Sequence, residues 1–339
     1  MAEKIFIIAE AGVNHNGSIK LAHEMVDIAA LSKADAIKFQ TFITEELVSD
    51  TAPKAKYQSY HSGNNESQYQ MLKRLELKSG DFSELRDHAI SVGLEFMSTP
   101  FDRSSIKLLY NLGLKIFKIP SGEITNLQYL RDIGGLKRRV FLSTGMASLD
   151  EVKAAVGVLL KAGILQSQVT LLHSTTEYPA PFQDVNLNAM ITLRDTFKMK
   201  VGYSDHTMGI EIPVAAAAMG ASVIEKHFTS DKNLRGPDHK ASIDPDELKL
   251  MVQSIRNVER AMGNGIKIPS KAEFKNIKVV RKSIFYLTDL QAGHMISEKD
   301  LIMKRPGTGI SPMMVDSLTG KRLLKSVSGN SMAEWEDFE

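Results

Sequence analysis

Lys200–His227 reads KVGYSDHTMGIEIPVAAAAMGASVIEKH. Two short apolar runs, Val201–Tyr203 and Val223–Lys226, flank a helical stretch, and their starts lie 22 residues apart. Parallel strands must be joined by a crossover of a dozen or more residues, usually a helix, so the segment reads as one strand–helix–strand unit. The same pattern recurs upstream, with strands expected at Ile5–Ala9, Ala36–Phe39, Leu94–Met97, Ile116–Ile119, Arg139–Leu142 and Val169–Leu172. Their continuous apolar character suits a parallel sheet buried on both faces. Most strand starts fall 22 to 32 residues apart, and one gap of 58 follows the second strand. Within that gap Thr51–Ser79 is polar, with Pro53 and Gly63-Asn64-Asn65, and reads as a loop over a pocket mouth plus a helix. Between strands, Leu149–Leu160 places Val152, Val156, Leu159 and Leu160 on one helical stripe behind acidic first-turn residues. Eight such units in roughly 263 residues predict a closed (β/α)8 TIM barrel, with an open doubly wound sheet as the alternative.

The barrel accounts for residues 1–264 of the 339. Residues 265–282 form a basic linker, partly helical around Lys271–Ile277. Residues 283–339 then carry short β-like pieces at Ser283–Leu287, Leu301–Pro306 and Arg322–Val327, a small second domain expected to lean on a barrel. The formal charge is +2, which gives no field for nucleic acid or membrane. With no cysteine, disulfides, thiolate metal sites and a cysteine nucleophile are excluded. The N-terminus lacks the pattern of a signal peptide. Ile212–Ile224, the longest apolar run, is too short to span a bilayer. A cytoplasmic protein is the expectation.

The residues at the end of each apolar run carry the function. The strands end, in order, at Glu10; Lys38 and Gln40; Ser98-Thr99; Lys118 with Ser121 and Glu123; Ser143-Thr144; His173 to Tyr178; Ser204-Asp205-His206-Thr207; and Glu225-Lys226-His227. In a parallel barrel these positions gather at one rim. A single polar strand end is an ordinary turn or cap residue, but eight in eight argue for a site.

His206 and His227, on adjacent strands, are candidate metal ligands, and neutral imidazole favours Mn, Fe, Co or Zn over Mg or Ca. The competing reading is a pair of hydrogen-bonded core histidines. Asp205 and Glu225 would fix the imidazole tautomers. His173 reads as structural, His15 as part of a turn, and His23, His61, His88 and His294 as surface residues. Lys38 and Lys118 point inward and call for an anionic ligand, unless they pair with Glu10 or Glu123. Ser121, Ser143, Thr176 and Ser204 add hydroxyls, and the turn Gly236–Ser242 (GPDHKAS) is expected to present Asp238 and His239 to the mouth.

The ordered motifs EAGVNHNG at Glu10, KFQTF at Lys38, STPFD at Ser98, KIPSGE at Lys118 and LSTGM at Leu142 resemble the sialic acid (N-acetylneuraminate) synthase family. So do TEYPAPF at Thr176, GYSDHT at Gly202, EKHFT at Glu225 and GPDHKAS at Gly236. That family includes legionaminic acid synthases. KRPGTGISP (Lys304–Pro312) resembles its C-terminal antifreeze-like (SAF, β-clip) domain. The resemblance implies condensation of phosphoenolpyruvate with an N-acetylmannosamine-type aldose, releasing phosphate, with N-acetylneuraminate the first expected product and N,N'-diacetyllegionaminate the alternative. It implies a divalent metal on His206 and His227, Mn2+ first with Mg2+ or Co2+ as alternatives, and Glu10 as the proton-handling group. Lys38, Thr99, Lys118, Ser121, Ser143, Thr176 and Ser204 would bind phosphoenolpyruvate; Gln40, Glu123, Tyr178 and Asp238 would bind the sugar. Arg305 would reach the barrel of the other subunit, which implies a domain-swapped homodimer. The chain departs from the pattern at Thr176, asparagine in some members, and at Phe39, histidine in others. A non-catalytic carbohydrate- or ice-binding protein is the reading from a different class. Intact Glu10, Lys38, Lys118, His206 and His227 argue against it.

Overall fold

The computed structural model describes residues 4–54 and 66–339. His61 and Gly63-Asn64-Asn65 of the long loop lie outside the described residues. The chain divides into two compact units, Met1–Asn264 and Gly265–Glu339.

The first unit is a nearly closed barrel of eight parallel strands: β1 Phe6–Gly12, β2 Ala36–Thr41, β3 Glu95–Pro100, β4 Ile116–Ile119, β5 Arg139–Ser143, β6 Val169–Ser174, β7 Lys200–Asp205 and β8 Val223–His227. Strand β1 is hydrogen-bonded to both β2 and β8, which an open sheet in sequence order could not provide; the ladder is interrupted between β3 and β4. Only β4 has the bounds its apolar run predicts. The others run on into the polar residues behind the run, because a parallel backbone ladder continues regardless of side-chain polarity.

Alternation along the strands sorts the side chains into two cores. The outward set packs under the helices, with Ile7, Ile37, Phe96, Phe117 and Tyr203 among its members. The inward set begins with an apolar plug of Ile8, Ala36, Met97, Ile116, Phe141, Leu172 and Val223. Two residues further along each strand, the inward position is Glu10, Lys38, Thr99, Lys118, Ser143, Ser174 or Glu225. The plug closes one end of the barrel, so the charged layer above it opens only toward the strands' C-terminal rim.

The helix Leu149–Lys161 buries Val152, Ala155, Val156 and Leu159 behind a Ser148–Glu151 capping box. Leu160, expected on the same stripe, is exposed, since it follows Leu159 by one step of about 100° around the helix.

The second unit has its own core of Ile284, Tyr286, Leu290, Ile296, Leu301, Ile310, Leu318, Leu323, Ala333 and Phe338. Strands β9 Ser283–Tyr286 and β10 Leu301–Lys304 pair antiparallel. Arg322–Val327 is not a regular strand. Its residues make single bridges, from Arg322 to Met295, Leu323 to Phe338 and Val327 to Leu290. The expected helix in the basic segment runs further than its pattern suggests, Lys271–Val280, capped by Ser270. Among the described residues no helix is long and apolar enough to cross a membrane.

Candidate active site

The rim of the barrel encloses a cavity of about 330 Å³. Glu10, Lys38, Gln40, Thr99, Lys118, Ser121, Ser143, Thr176, Tyr178, Ser204, His206, His227 and Asp238 all line it. Strand register sets the inner layer: Glu10 stands beside Lys38 of β2 and His227 of β8, Gln40 beside Thr99, and Ser204 beside Glu225. Glu123 is outside the lining and accepts a hydrogen bond from Asn126 Nδ2 at 2.6 Å. Arg305 is exposed in the second unit, its Nε donating to Val280 O at 3.0 Å.

The lysines are not bare. Lys38 Nζ lies 2.7 Å from Glu10 Oε2 and 3.6 Å from Glu225 Oε2, and donates to Thr99 Oγ1 at 2.8 Å. Lys118 Nζ donates to Glu225 Oε1 at 2.6 Å, and Ser204 Oγ donates to the same oxygen at 2.8 Å. Glu225 therefore bridges both lysines. Burial alone would raise its pKa, but Lys118 and Lys38 hold its carboxyl well below the usual carboxylate range. Burial pushes Glu10 up to about 7, with Lys38 only partly offsetting it and Glu225 adding repulsion. Lys38 is raised, since its two carboxylates outweigh burial; Lys118 is lowered, because burial wins there. One ionised carboxylate, two lysines and one carboxyl poised near neutrality leave room for added negative charge.

A hydroxyl nest adjoins this charge cluster. A Cβ on residue 145 would lie 2.7 Å from Ser121 Oγ, 2.9 Å from Ser174 Oγ and closer still to Thr176 Oγ1, so only glycine lets these groups converge. Thr176 Oγ1 is buried with no hydrogen-bond partner among the described residues. An anion with several acceptor oxygens fits such a nest.

The two histidine rings are 5.5 Å apart, at 54°. His206 Nδ1 donates to Thr175 O at 2.6 Å, which leaves Nε2 as a lone pair facing Tyr178 Oη at 2.9 Å. Burial lowers His206 to about 4 and His227 well below its ordinary value, so both imidazoles are neutral. His227 Nδ1 is buried and has no partner among the described residues. Two neutral rings, one with an orphaned nitrogen, fit a divalent ion held by two protein ligands. Among the described residues no group of three or more His, Asp or Glu side chains forms a closed cage, so the other positions would go to oxygens of water or substrate.

The tautomer-fixing partner differs from the one expected. Thr175 O holds His206, while Asp205 bonds Lys226 Nζ and Thr207, and Glu225 bonds Lys118 and Ser204. His239 is fully buried and bonds Thr229 Oγ1 at 2.7 Å; it does not reach the mouth. His173 is structural, its Nε2 2.7 Å from Val185 O.

Two features were missed from the sequence. Glu225 is the ionic centre, which its place two residues before His227 on the same strand face could have signalled. The outer cavity wall is largely apolar: Val13, Phe42, Leu47, Val48, Met71, Leu72, Leu75 and Phe101, with the polar Gln68 among them; several of these apolar residues form a small separate core. These residues come from four separate stretches of chain, and no local pattern marks them.

Comparison with known proteins places the chain in a family. The NeuB family model matches residues 25–267, and the SAF domain model matches 281–339. The N,N'-diacetyllegionaminic acid synthase of Campylobacter jejuni is 54% identical over 324 residues, covering 96% of this chain and 97% of that protein. The N,N'-diacetyllegionaminic acid synthase of Legionella pneumophila is 51% identical over 336 residues, covering 98% and 94%. The solved N-acetylneuraminic acid (sialic acid) synthetase from Leptospira borgpetersenii superposes with a TM-score of 0.71 at 35% identity, covering 81% of this chain and 90% of that one. The chain belongs to the NeuB family and is a phosphoenolpyruvate-dependent nonulosonic acid synthase with a C-terminal SAF domain.

Proposed function

We propose that the enzyme condenses phosphoenolpyruvate with 2,4-diacetamido-2,4,6-trideoxymannose to form N,N'-diacetyllegionaminic acid and phosphate. The observation that carries this choice is the apolar wall. A 6-deoxy sugar with a second acetamido group presents methyls where N-acetylmannosamine presents hydroxyls. Leu47, Val48, Leu72 and Phe101 offer those hydroxyls no partner, and an unpaired polar group costs affinity on burial. The two legionaminic acid synthases, similar at 54% and 51% identity, support the same choice. The sequence motifs alone put N-acetylneuraminate first.

In this reading Lys38, Lys118 and the hydroxyls of Thr99, Ser121, Ser143, Thr176 and Ser204 take the carboxylate and phosphate of phosphoenolpyruvate. Gln40, Tyr178 and Asp238 face the sugar. C3 of phosphoenolpyruvate attacks the aldehyde carbon, and the aldehyde oxygen takes a proton. Water then adds to the cation left at C2 and loses a proton, and the tetrahedral centre collapses to the C2 ketone, expelling phosphate by C–O cleavage as the C2 hydroxyl proton passes to the departing phosphate. Glu10, with its carboxyl near 7, is suited to give the first proton and take the second. Held by His206 and His227, a divalent ion (Mn2+, with Mg2+ or Co2+ as alternatives) would supply Lewis-acid polarisation of the aldehyde. Glu123, implied to bind the sugar by the family resemblance, directly follows the lining residues Ser121 and Gly122 but lies outside the cavity lining itself.

Arg305 is exposed and is the residue we assign to a partner subunit's barrel in a domain-swapped homodimer. Mixed dimers of Arg305→Ala and Glu10→Ala chains would then regain activity that neither variant has alone, and no regain would remove the swap.

Phosphate release measured against both sugars tests the main reading. A kcat/KM at least about 100-fold higher for the trideoxy sugar is expected, with turnover lost on chelation and restored by Mn2+. Preference for N-acetylmannosamine would overturn it.

A further inference from the structure

Behind the loop that carries Asp238 lies a second cluster of buried polar groups that the reaction does not use. His15 and His239 are both buried, and burial lowers each to about 4, His239 further lowering His15. Their tautomers follow from their partners. Gly17 N donates to His15 Nδ1 at 3.0 Å, so the His15 proton is on Nε2. Thr229 Oγ1 gives its proton to Asp231 O at 3.1 Å, so it accepts from His239 Nδ1 at 2.7 Å, and His239 Nε2 is a bare lone pair. The cluster thus holds one free donor, His15 Nε2–H, and two free acceptors, His239 Nε2 and Asn16 Oδ1. All three atoms are buried with no hydrogen-bond partner among the described residues.

The two acceptors converge on Gly236, where a Cβ would lie 2.9 Å from His239 Nε2 and 2.7 Å from Asn16 Oδ1. One water molecule, accepting from His15 and donating to His239 and Asn16, would satisfy these three, while Asn14 Oδ1 is a further buried oxygen without a partner among the described residues. The neighbouring Asn14 ties down the other end of the same loop. Its Nδ2 donates to Phe228 O at 2.8 Å and to Ser242 Oγ at 2.9 Å, and Ser242 Oγ donates to Asp238 O at 2.7 Å.

We propose that Asn14, His15, Asn16 and His239, joined by one buried water, form a positioning site that fixes the Gly236–Ser242 turn from β1 and so sets Asp238 against the sugar. The proposal rests on Asp238 facing the sugar in the proposed reaction. The turn after β1 is thereby linked to sugar binding although none of its three polar side chains lines the cavity.

The test separates the two ends of one imidazole. Asparagine at 239 can replace Nδ1 toward Thr229 but does not reach the water, whereas glutamine reaches it. His239→Asn is expected to raise the sugar KM by about tenfold, the worth of one lost hydrogen bond, with the phosphoenolpyruvate KM unchanged. His239→Gln should restore the sugar KM to within about threefold of the parent. Equal sugar KM values in both variants, or a shift in phosphoenolpyruvate KM as large as that for sugar, would overturn the proposal. Asp238→Ala is the control: if it leaves the sugar KM unchanged, the reading of Asp238 fails, whatever position 239 does. Should the variants not fold, a crystal structure of the unaltered enzyme decides. One water within hydrogen-bond distance of His15, Asn16 and His239 supports the site, and a dry or directly bonded cluster refutes it.

Discussion

Lys118 Nζ and Glu225 Oε1 stand 2.6 Å apart, joining β4 to β8 across the barrel, and Lys38 shares the same carboxylate. Glu225 is the site's resident anion. Glu225→Gln keeps the shape but leaves two buried lysines with only Glu10 as a counterion. Removing one partner of a buried pair costs about 3 to 5 kcal/mol, so the variant should melt several degrees lower. Inorganic phosphate, able to supply the missing charge, should then raise the melting temperature more in the variant than in the parent. An equal or smaller shift would show that the lysines do not hold anions.

Glu10 has the opposite character. Its carboxyl, pushed up to about 7 by burial, exchanges its proton near neutral pH. The kcat/KM profile for phosphoenolpyruvate should therefore bend near pH 7. Glu10→Gln should remove the bend and lower kcat by about 10²- to 10⁴-fold, the usual worth of a positioned acid–base group. Phosphoenolpyruvate binding should be kept or tightened, since the amide does not repel an anion. A variant that loses binding but keeps kcat would assign Glu10 to the ionic framework alone.

The hydroxyl nest gives a steric prediction. In Gly145→Ala the methyl would press against Ser121, Ser174 and Thr176 and fill the space assigned to phosphate. The phosphoenolpyruvate KM should rise by about tenfold or more, one strong polar contact's worth, while the sugar KM changes little. Steady-state kinetics with each substrate varied in turn reads the difference, and a rise confined to the sugar would contradict the assignment.

The apolar wall predicts a change of preference. Leu72, half-buried in the helix Gln68–Leu75, lines the cavity with Leu47 and Phe101. Leu72→Asn removes apolar contact and adds a hydrogen-bonding group. The kcat/KM for the trideoxy sugar should fall by about 10- to 100-fold, the range for changed apolar contact in a pocket, and the ratio to N-acetylmannosamine should narrow. Parallel losses on both sugars would mean that the wall does not discriminate between them.

These features are unequally legible in the sequence. Strand β4, Ile116–Ile119, is apolar at every position but Lys118 and has the predicted bounds. Strand β7 reads as Val201–Tyr203 from its apolar run but spans Lys200–Asp205, because polar inward residues are as good for a parallel ladder as apolar ones. The rim residues are legible because each follows its own strand. The partner of Lys118 is not, since only barrel closure brings β8 opposite β4. The wall is still less so: Leu47, Leu72 and Phe101 come from three separate stretches of chain, and each alone reads as an ordinary apolar residue. The buried His15–His239 cluster needs tautomers, which sequence does not carry.

That cluster makes the last prediction, on stability. His15 falls from an ordinary 6.5 to about 4 in the folded chain, so between those values the unfolded chain binds more protons. Its contribution is complete above pH 6.5 and is lost as pH falls toward 4, by up to about 3 kcal/mol for a shift of this size. His239, which feels Asp231, acts in the same direction. Asp238, raised to about 6 by burial, acts in the opposite one: its contribution is present at low pH and is lost as pH rises through 6. The parent's acid profile is therefore blunted, and the difference between chains is the clean observable. His15→Gln removes the titrating ring but retains a donor of similar reach. Between pH 7 and 4.5 its melting temperature should fall less than that of the parent. Parallel curves would mean that His15 is protonated in the folded enzyme, which its acceptor role toward Gly17 N forbids.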